Sequence, residues 1–280
     1  MPLFDVPDPP LYTLTHAPLV QALAQVRYPL IASLETMAGI APLQGHLQDA
    51  FPYMQQEKIQ EMAIVLGPAG PAASGGAESV TWKLTNDVGE TVVVGAGSAT
   101  LSVGSSYQTV EHFAAKFEIL LESMAKIGVP RCDRLGVRYL SVAAGLPGVD
   151  RAWREWFRPE LLGWAGSDVI PEGSLRASIT QGVIAREPIG DLAGPPAEVQ
   201  ATIRHGAVPS GSTVPGVPPV EVEEDSFLLD IDISSEGHQR FDAGELIRQF
   251  GLFHQQIDRF FFWALTEKGG EHFGLETSDR

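Results

Sequence analysis

One cysteine, Cys132, stands in a chain of 280 residues. That excludes an internal disulfide and any zinc site built on four thiolates. Cations are also scarce: 19 Lys and Arg face 35 Asp and Glu, for a formal net charge of −16. That is a poor electrostatic starting point for displacing counterions from a phosphate backbone, and no direct binding of duplex DNA is expected. Long apolar runs are missing. The longest, Phe260 to Leu265, falls far short of the ~20 residues that cross a bilayer, so no membrane association is expected. The opening Met1-Pro2-Leu3-Phe4-Asp5 lacks the basic stretch and apolar core of a secretory signal. A reducing, cytoplasmic setting is the expectation.

What is present is patterned. Leu19 to Tyr28 alternates as a strand does and stops at Pro29. Ile40 to Gln60 reads as a helix broken by Pro52, followed by a short strand at Met62 to Leu66. Gly67 to Ala77 has no side chains able to build a core and reads as a flexible loop. Val80–Thr85 and Glu90–Val94 read as a hairpin, and Ala99–Val103 as a further strand. Val110, Phe113, Phe117, Leu120, Leu121, Met124 and Ile127 follow the helical spacing, with Thr109 placed to cap the start. A similar order then recurs. Arg134–Ala143 reads as a strand and Asp150–Gly163 as a short Trp-rich helix; Leu175–Ala185 and Glu198–His205 read as strands. A Gly/Pro loop spans Gly206–Asp225, and Phe227–Ser234 alternates with Phe227, Leu229, Ile231 and Ile233 inward and Leu228, Asp230 and Asp232 outward. The capping pair Asp242 and Glu245 opens a long helix that ends at Gly269-Gly270.

These elements predict an α+β fold, a mainly antiparallel sheet with long helices on one face, in two tandem β-α-β-β-β-α units. The expected organisation is an extended arm at 1–15, a first unit at 16–130, a second at 131–268 containing a flexible loop at 206–225, and a tail at 269–280.

Several segments carry a resemblance. They are Pro18-Leu19-Val20-x-Ala22-Leu23-x-Gln25-Val26-Arg27-Tyr28-Pro29, Trp82-x-Leu84-Thr85, Tyr107 before the Phe113 helix, and Arg134-Leu135-Gly136-Val137-Arg138-Tyr139-Leu140. Together they resemble a sporadically distributed bacterial family of unknown function. The resemblance implies an accessory role, such as phage defence or a toxin–antitoxin pair, and it supplies no catalytic residues.

The chemical motifs are incomplete. Gly95-Ala-Gly97-Ser-Ala-Thr100 lacks the third glycine and the following helix of a dinucleotide loop, and reads as a turn between strands. Ser123 and Lys126 match an S-x-x-K spacing without its companion motifs. None of the seven histidines is paired at i, i+4. His254 and Asp258 share a helix face, and Cys132 lies between Arg131 and Asp133 with no orienting partner. No cofactor is expected, and the balance leans away from an enzyme.

Three constellations remain. Arg27, Arg134 and Arg138 are concentrated in the two distinctive strands of a cation-poor chain; they could hold a carboxylate or phosphate as a small-anion sensor, or pair with the chain's own acids. Asp230 and Asp232 share a strand face and could hold a divalent metal in a hydrolase or nuclease, or simply be solvated. Phe262 and Trp263 cannot share the inward stripe with Phe260 and Phe261, so they are candidate partner contacts unless another part of the chain covers them. The leading expectation is a non-enzymatic binding or assembly protein, with a protein partner or homodimer. One version of it is an acidic antitoxin or inhibitor.

Overall fold

A computed structural model shows an α+β chain with a nine-stranded antiparallel sheet and five helices among the described residues. The structure describes residues 3–67, 70–146, 149, 151–171, 173–186, 198–214, 216–218 and 222–278; for 59–67, 70–78, 186 and 278 the backbone alone is described. In chain order the elements are β1 (Leu11–Leu14), β2 (Leu19–Arg27), α1 (Met37–Leu47), β3 (Tyr53–Gly67), β4 (Gly70–Thr85), β5 (Thr91–Val94), β6 (Ser98–Val103) and α2 (Val110–Lys126). There follow β7 (Arg131–Ala144), α3 (Pro159–Leu162), β8 (Ser178–Arg186), β9 (Glu198–Val208), β10 (Ser226–Arg240), α4 (Ala243–Ala264), α5 (Glu267–His272) and β11 (Leu275–Ser278). The sheet order is β3-β4-β5-β6-β2-β7-β10-β9-β8, and β1 pairs with β11 in a separate ribbon. Two compact units divide the chain discontinuously: Met1–Ala22, Gly136–Glu236 and Gln249–Arg280 form one, and Leu23–Leu135 with Gly237–Arg248 the other.

In the second of these units the sheet is amphipathic for a simple reason. Strands β5 and β6 bury every second residue: Val92, Val94, Ala99, Leu101 and Val103. The apolar stripe of α2 is buried through Phe113, Phe117, Leu120, Leu121 and Met124, and Thr109 caps the helix by accepting from His112 N at 3.3 Å. Tyr28 donates its hydroxyl to the carbonyls of Gly95 and Ser98 at 2.7 and 3.0 Å, which fastens the β5–β6 turn to the end of β2; burial raises its pKa. The Gly95–Thr100 segment is indeed a turn between strands.

Two sequence expectations fail in this unit. The helix stops at Leu47, and residues 53–60 belong to β3 rather than to a continued helix. The polar run from Gln55 to Gln60 has no decisive period of its own, and its register with β4, Tyr53↔Thr85 through Gln60↔Glu78, makes it a strand. The expected loop at Gly67–Ala77 is also largely strand, because Gly70–Gly75 pair back onto Met62–Gly67. Small residues cannot build a core, but their backbones can complete a hairpin ladder. Pro68 and Ala69 lie outside the described residues.

In the first unit, β10 is buried at every position from Ser226 to Ile231. One face packs as alternation predicts. Phe227 stacks on Phe157 at 4.7 Å, and Phe250, Phe253, Ile257 and Phe260 of α4 are buried. The other face, expected to meet solvent, is covered. Leu228 joins Leu140, Val208 and Val222 in a buried cluster with Val214 and Val217 packed against it. The segment after β9 therefore lies on the sheet. The proposed loop at 206–225 is shorter than expected, because Gly206–Val208 complete β9, while residues 215 and 219–221 lie outside the described part. Gly206 has φ +145°, and a Cβ there would stand 1.7 Å from Ser178 O, so only glycine lets β9 and β8 run this close.

The termini are also more structured than an arm and a tail. Strand β1 pairs antiparallel with β11, Leu11 opposite Ser278. Leu3 N donates to Gln256 Oε1 at 2.9 Å, and Phe4 packs on Phe260 at 4.8 Å. Helix α4 ends at Ala264, and Gly269-Gly270 lie inside α5, not at the end of α4. Gly269 is needed for close approach, since a Cβ would meet Trp156 O at 2.1 Å. The Trp-rich segment forms only α3 between 3-10 turns at Ala152–Glu155 and Gly163–Gly166; Asp150 is outside the described residues.

Candidate functional site

The two charged constellations read from the sequence meet in one ion-pair network. Strand register places Asp230 of β10 directly opposite Arg204 of β9, and Arg204 opposite Gln181 of β8. Asp230 is fully buried. Arg138 of β7 grips it with a two-pronged pair: Nε donates to Oδ1 and Nη2 to Oδ2, both at 2.7 Å. Arg204 Nη1 donates to the same Oδ2 at 3.1 Å, and its Nε to Gln181 Oε1 at 2.9 Å. A charged ladder thus runs from β7 through β10 and β9 to the edge strand β8. Arg138 Nη2 also donates to Gly216 O at 2.7 Å, which ties the covering segment to the ladder.

This geometry constrains the chemistry. Both oxygens of Asp230 are held by guanidinium groups, and a divalent ion would have to displace them. Asp230 is therefore not the outward, solvated carboxylate expected from alternation; Asp232, half-buried, is in a different environment. Among the described residues no three His, Cys, Asp or Glu side chains gather as a metal-holding group. Arg138 is engaged by Asp230, and Arg134 donates to Gln25 Oε1 at 3.3 Å. Arg27 is exposed at the end of β2. The pairing of Arg138 with an acid of the chain itself is the alternative that the charge surplus offered.

The other sequence candidates have intramolecular surroundings. Phe262 packs on Tyr12 at 5.1 Å. Trp263 packs on Phe260 at 5.3 Å, and the Arg158 guanidinium lies over its ring. Both are half-buried rather than exposed. Asp258 accepts from Tyr12 OH at 2.5 Å, and His254 packs its ring on Tyr139 at 5.6 Å. Burial pushes the Cys132 thiol up to about 12, which leaves it protonated and unreactive at neutral pH. Ser123 Oγ donates to Ile119 O at 2.7 Å, within its own helix, and Lys126 pairs with Glu122.

Two features escaped the sequence reading. Glu90, fully buried, is held by Asn86 Nδ2 at 2.6 Å, His112 Nε2 at 2.9 Å and Lys116 Nζ at 3.6 Å. The i, i+4 spacing of His112 and Lys116 on α2 was the available signal; that Glu90 of the β4–β5 turn would lie beneath them was not.

The second is β8. It ends the sheet order, and the side chains of Ile179 through Ala185 are exposed on both faces. Ile179, Val183 and Ile184 are 39%, 55% and 37% exposed. Gly163, opening the neighbouring 3-10 turn, lies against Thr180, and Trp164 of that turn is 62% exposed. The opposite edge, β3, shows Gln55, Glu57 and Lys58 instead. Charge on an edge strand discourages further pairing, and β8 carries none between Ser178 and Ala185.

An α+β sheet with a covered ion-pair ladder and one acid-free edge that exposes Ile179, Val183 and Ile184 is thus defined. No protein-family model matches the chain, and no curated protein matches it. No helix among the described residues is long and apolar enough to cross a membrane.

Proposed function

We propose that this chain is a binding or assembly protein that works through protein–protein contacts at its β8 edge. The observation that carries the reading is the exposure of Ile179, Val183 and Ile184 on an edge strand without acidic residues, with Trp164 beside it. Among the described residues no strand pairs with the outer side of β8, and an edge of this kind offers backbone donors and acceptors together with apolar side chains, the combination that strand addition uses. An aromatic at the margin of the patch supplies the kind of anchor that dominates interface energetics. The catalytic reading has weaker support, because Asp230 is neutralised by Arg138 and Arg204. The same pair engages the arginine most central to an anion sensor. An accessory bacterial role, in phage defence or as an acidic antitoxin or inhibitor, is consistent with a binding surface and with the family resemblance.

The test is affinity isolation of the tagged chain from cells that express it, in parallel with a Val183→Lys/Ile184→Lys variant. A specific protein retained by the parent and lost by the variant supports the reading. Equal retention by both, or retention of neither another protein nor an untagged copy of the chain, overturns it.

A further inference from the structure

The occupant of the β8 edge can be narrowed by charge. The segment from Gly173 to Arg186 contains no Asp or Glu, while Arg176 and Arg186 stand near its ends. In a chain of net charge −16, most surfaces of two copies repel each other. The acid-free edge is where two copies approach without opposing carboxylates. The strand is also suited to self-pairing by its sequence. Ser178-Ile-Thr-Gln-Gly-Val-Ile-Ala-Arg186 has Gly182 at its midpoint, and nothing lies within 4 Å of a Cβ built there. Turned antiparallel about Gly182, all nine residues of one strand overlap those of the other, with Ile179 opposite Ala185, Thr180 opposite Ile184 and Gln181 opposite Val183. Ile179 with Ala185 and Thr180 with Ile184 each set an apolar side chain beside a small or β-branched neighbour, Gln181 opposite Val183 is held by Arg204 through its Oε1, and Ser178 meets Arg186 at the strand ends. A two-fold contact of this kind is closed, since each edge satisfies the other and leaves no strand for further addition there.

Resting on the β8 docking reading, we infer that the partner at this edge is a second copy of the chain, joined by antiparallel β8–β8 pairing about Gly182. The ladder Gln181–Arg204–Asp230–Arg138 gives the edge a fixed register, because it ties β8 to strands deeper in the sheet. A register-locked edge presents the same row of donors and acceptors in every copy, which symmetric pairing requires.

The experiment is light scattering on the full chain, with a cross-linking companion. The parent should give about 60 kDa, twice the chain mass of 30.1 kDa, and Val183→Lys should reduce it to the single-chain mass. Antiparallel neighbours sit ~4.5–5.5 Å apart between Cα atoms, within disulfide reach, so Gly182→Cys should form a cross-linked dimer on mild oxidation. Leu30→Cys, at a position 76% exposed elsewhere, should not. Circular dichroism matching the parent shows that Val183→Lys is folded. A parent that is monomeric, or a dimer unaffected by Val183→Lys and uncross-linked by Gly182→Cys, overturns self-pairing. If that monomeric parent still retains a different protein that Val183→Lys/Ile184→Lys loses, the docking reading survives and only the second copy is refuted.

Discussion

Asp230 shows how much one buried carboxylate can fix. Its oxygens accept from Arg138 on one side and Arg204 on the other, and each arginine side chain is only 16% exposed. Removing one partner of such a group leaves charge with inadequate compensation. Arg138→Met should therefore cost about 3 kcal/mol, at the lower end for a buried pair because Arg204 still holds the carboxylate. A urea unfolding midpoint equal to the parent's would contradict this. His205 gives a pH dependence at the same scale. Burial lowers its pKa below the ordinary 6.5, against the opposing effect of its hydrogen bond to Leu161 O. The folded state thus binds fewer protons than the unfolded chain between that lowered value and 6.5, and stability falls as pH drops through this window. Thermal melts should show that loss below about pH 6.5, and His205→Asn should reduce it. His272, lowered mainly by desolvation and also by His16, contributes with the same sign, so some slope should persist.

At the scale of elements, α2 was legible from periodicity alone. Its stripe from Phe113 to Met124 needs only the helical repeat and one buried face, and Phe117 is fully buried. Phe117→Ala should cost about 3–5 kcal/mol by chemical denaturation. Strand β8 was legible as a strand but not as an edge, because edge or centre is decided by which strands lie beside it. Its attachment depends on the close approach at Gly206. Gly206→Ala forces a Cβ against Ser178 O and should loosen β8, destabilising by about 1–3 kcal/mol. Hydrogen exchange should show the Ser178–Arg186 amides losing protection before those of β10; uniform protection in the variant would refute the close contact.

At the scale of the whole molecule, charge governs association. The −16 net charge opposes contact between copies, while the acid-free β8 edge favours it. Screening shortens the reach of the repulsion from ~30 Å at 0.01 M salt to ~8 Å at 0.15 M. Self-association should therefore strengthen as salt is added, the reverse of what an interface built on ion pairs would show. Sedimentation equilibrium across that range measures it, and dissociation on adding salt would exclude an apolar edge as the contact.

The amino-acid pattern by itself determined the class of fold and most of the strands and helices, since these follow from local periodicity, caps and breakers. Leu19–Arg27, Val110–Lys126 and the helix beginning after Asp242 needed no knowledge of their neighbours. The nature of residues 53–77 did need it: polar and small-residue runs carry no period, and pairing between β3 and β4 made them a hairpin. The same holds for the charged residues. Arg138 and Asp230 were each conspicuous in the sequence, 92 positions apart, but periodicity assigns a side chain to a face without saying what covers that face. Only the packing of the segment after β9 over Leu228 and Asp230 turned a presumed solvated acid into a buried one, because burial belongs to the assembled layers and not to the strand.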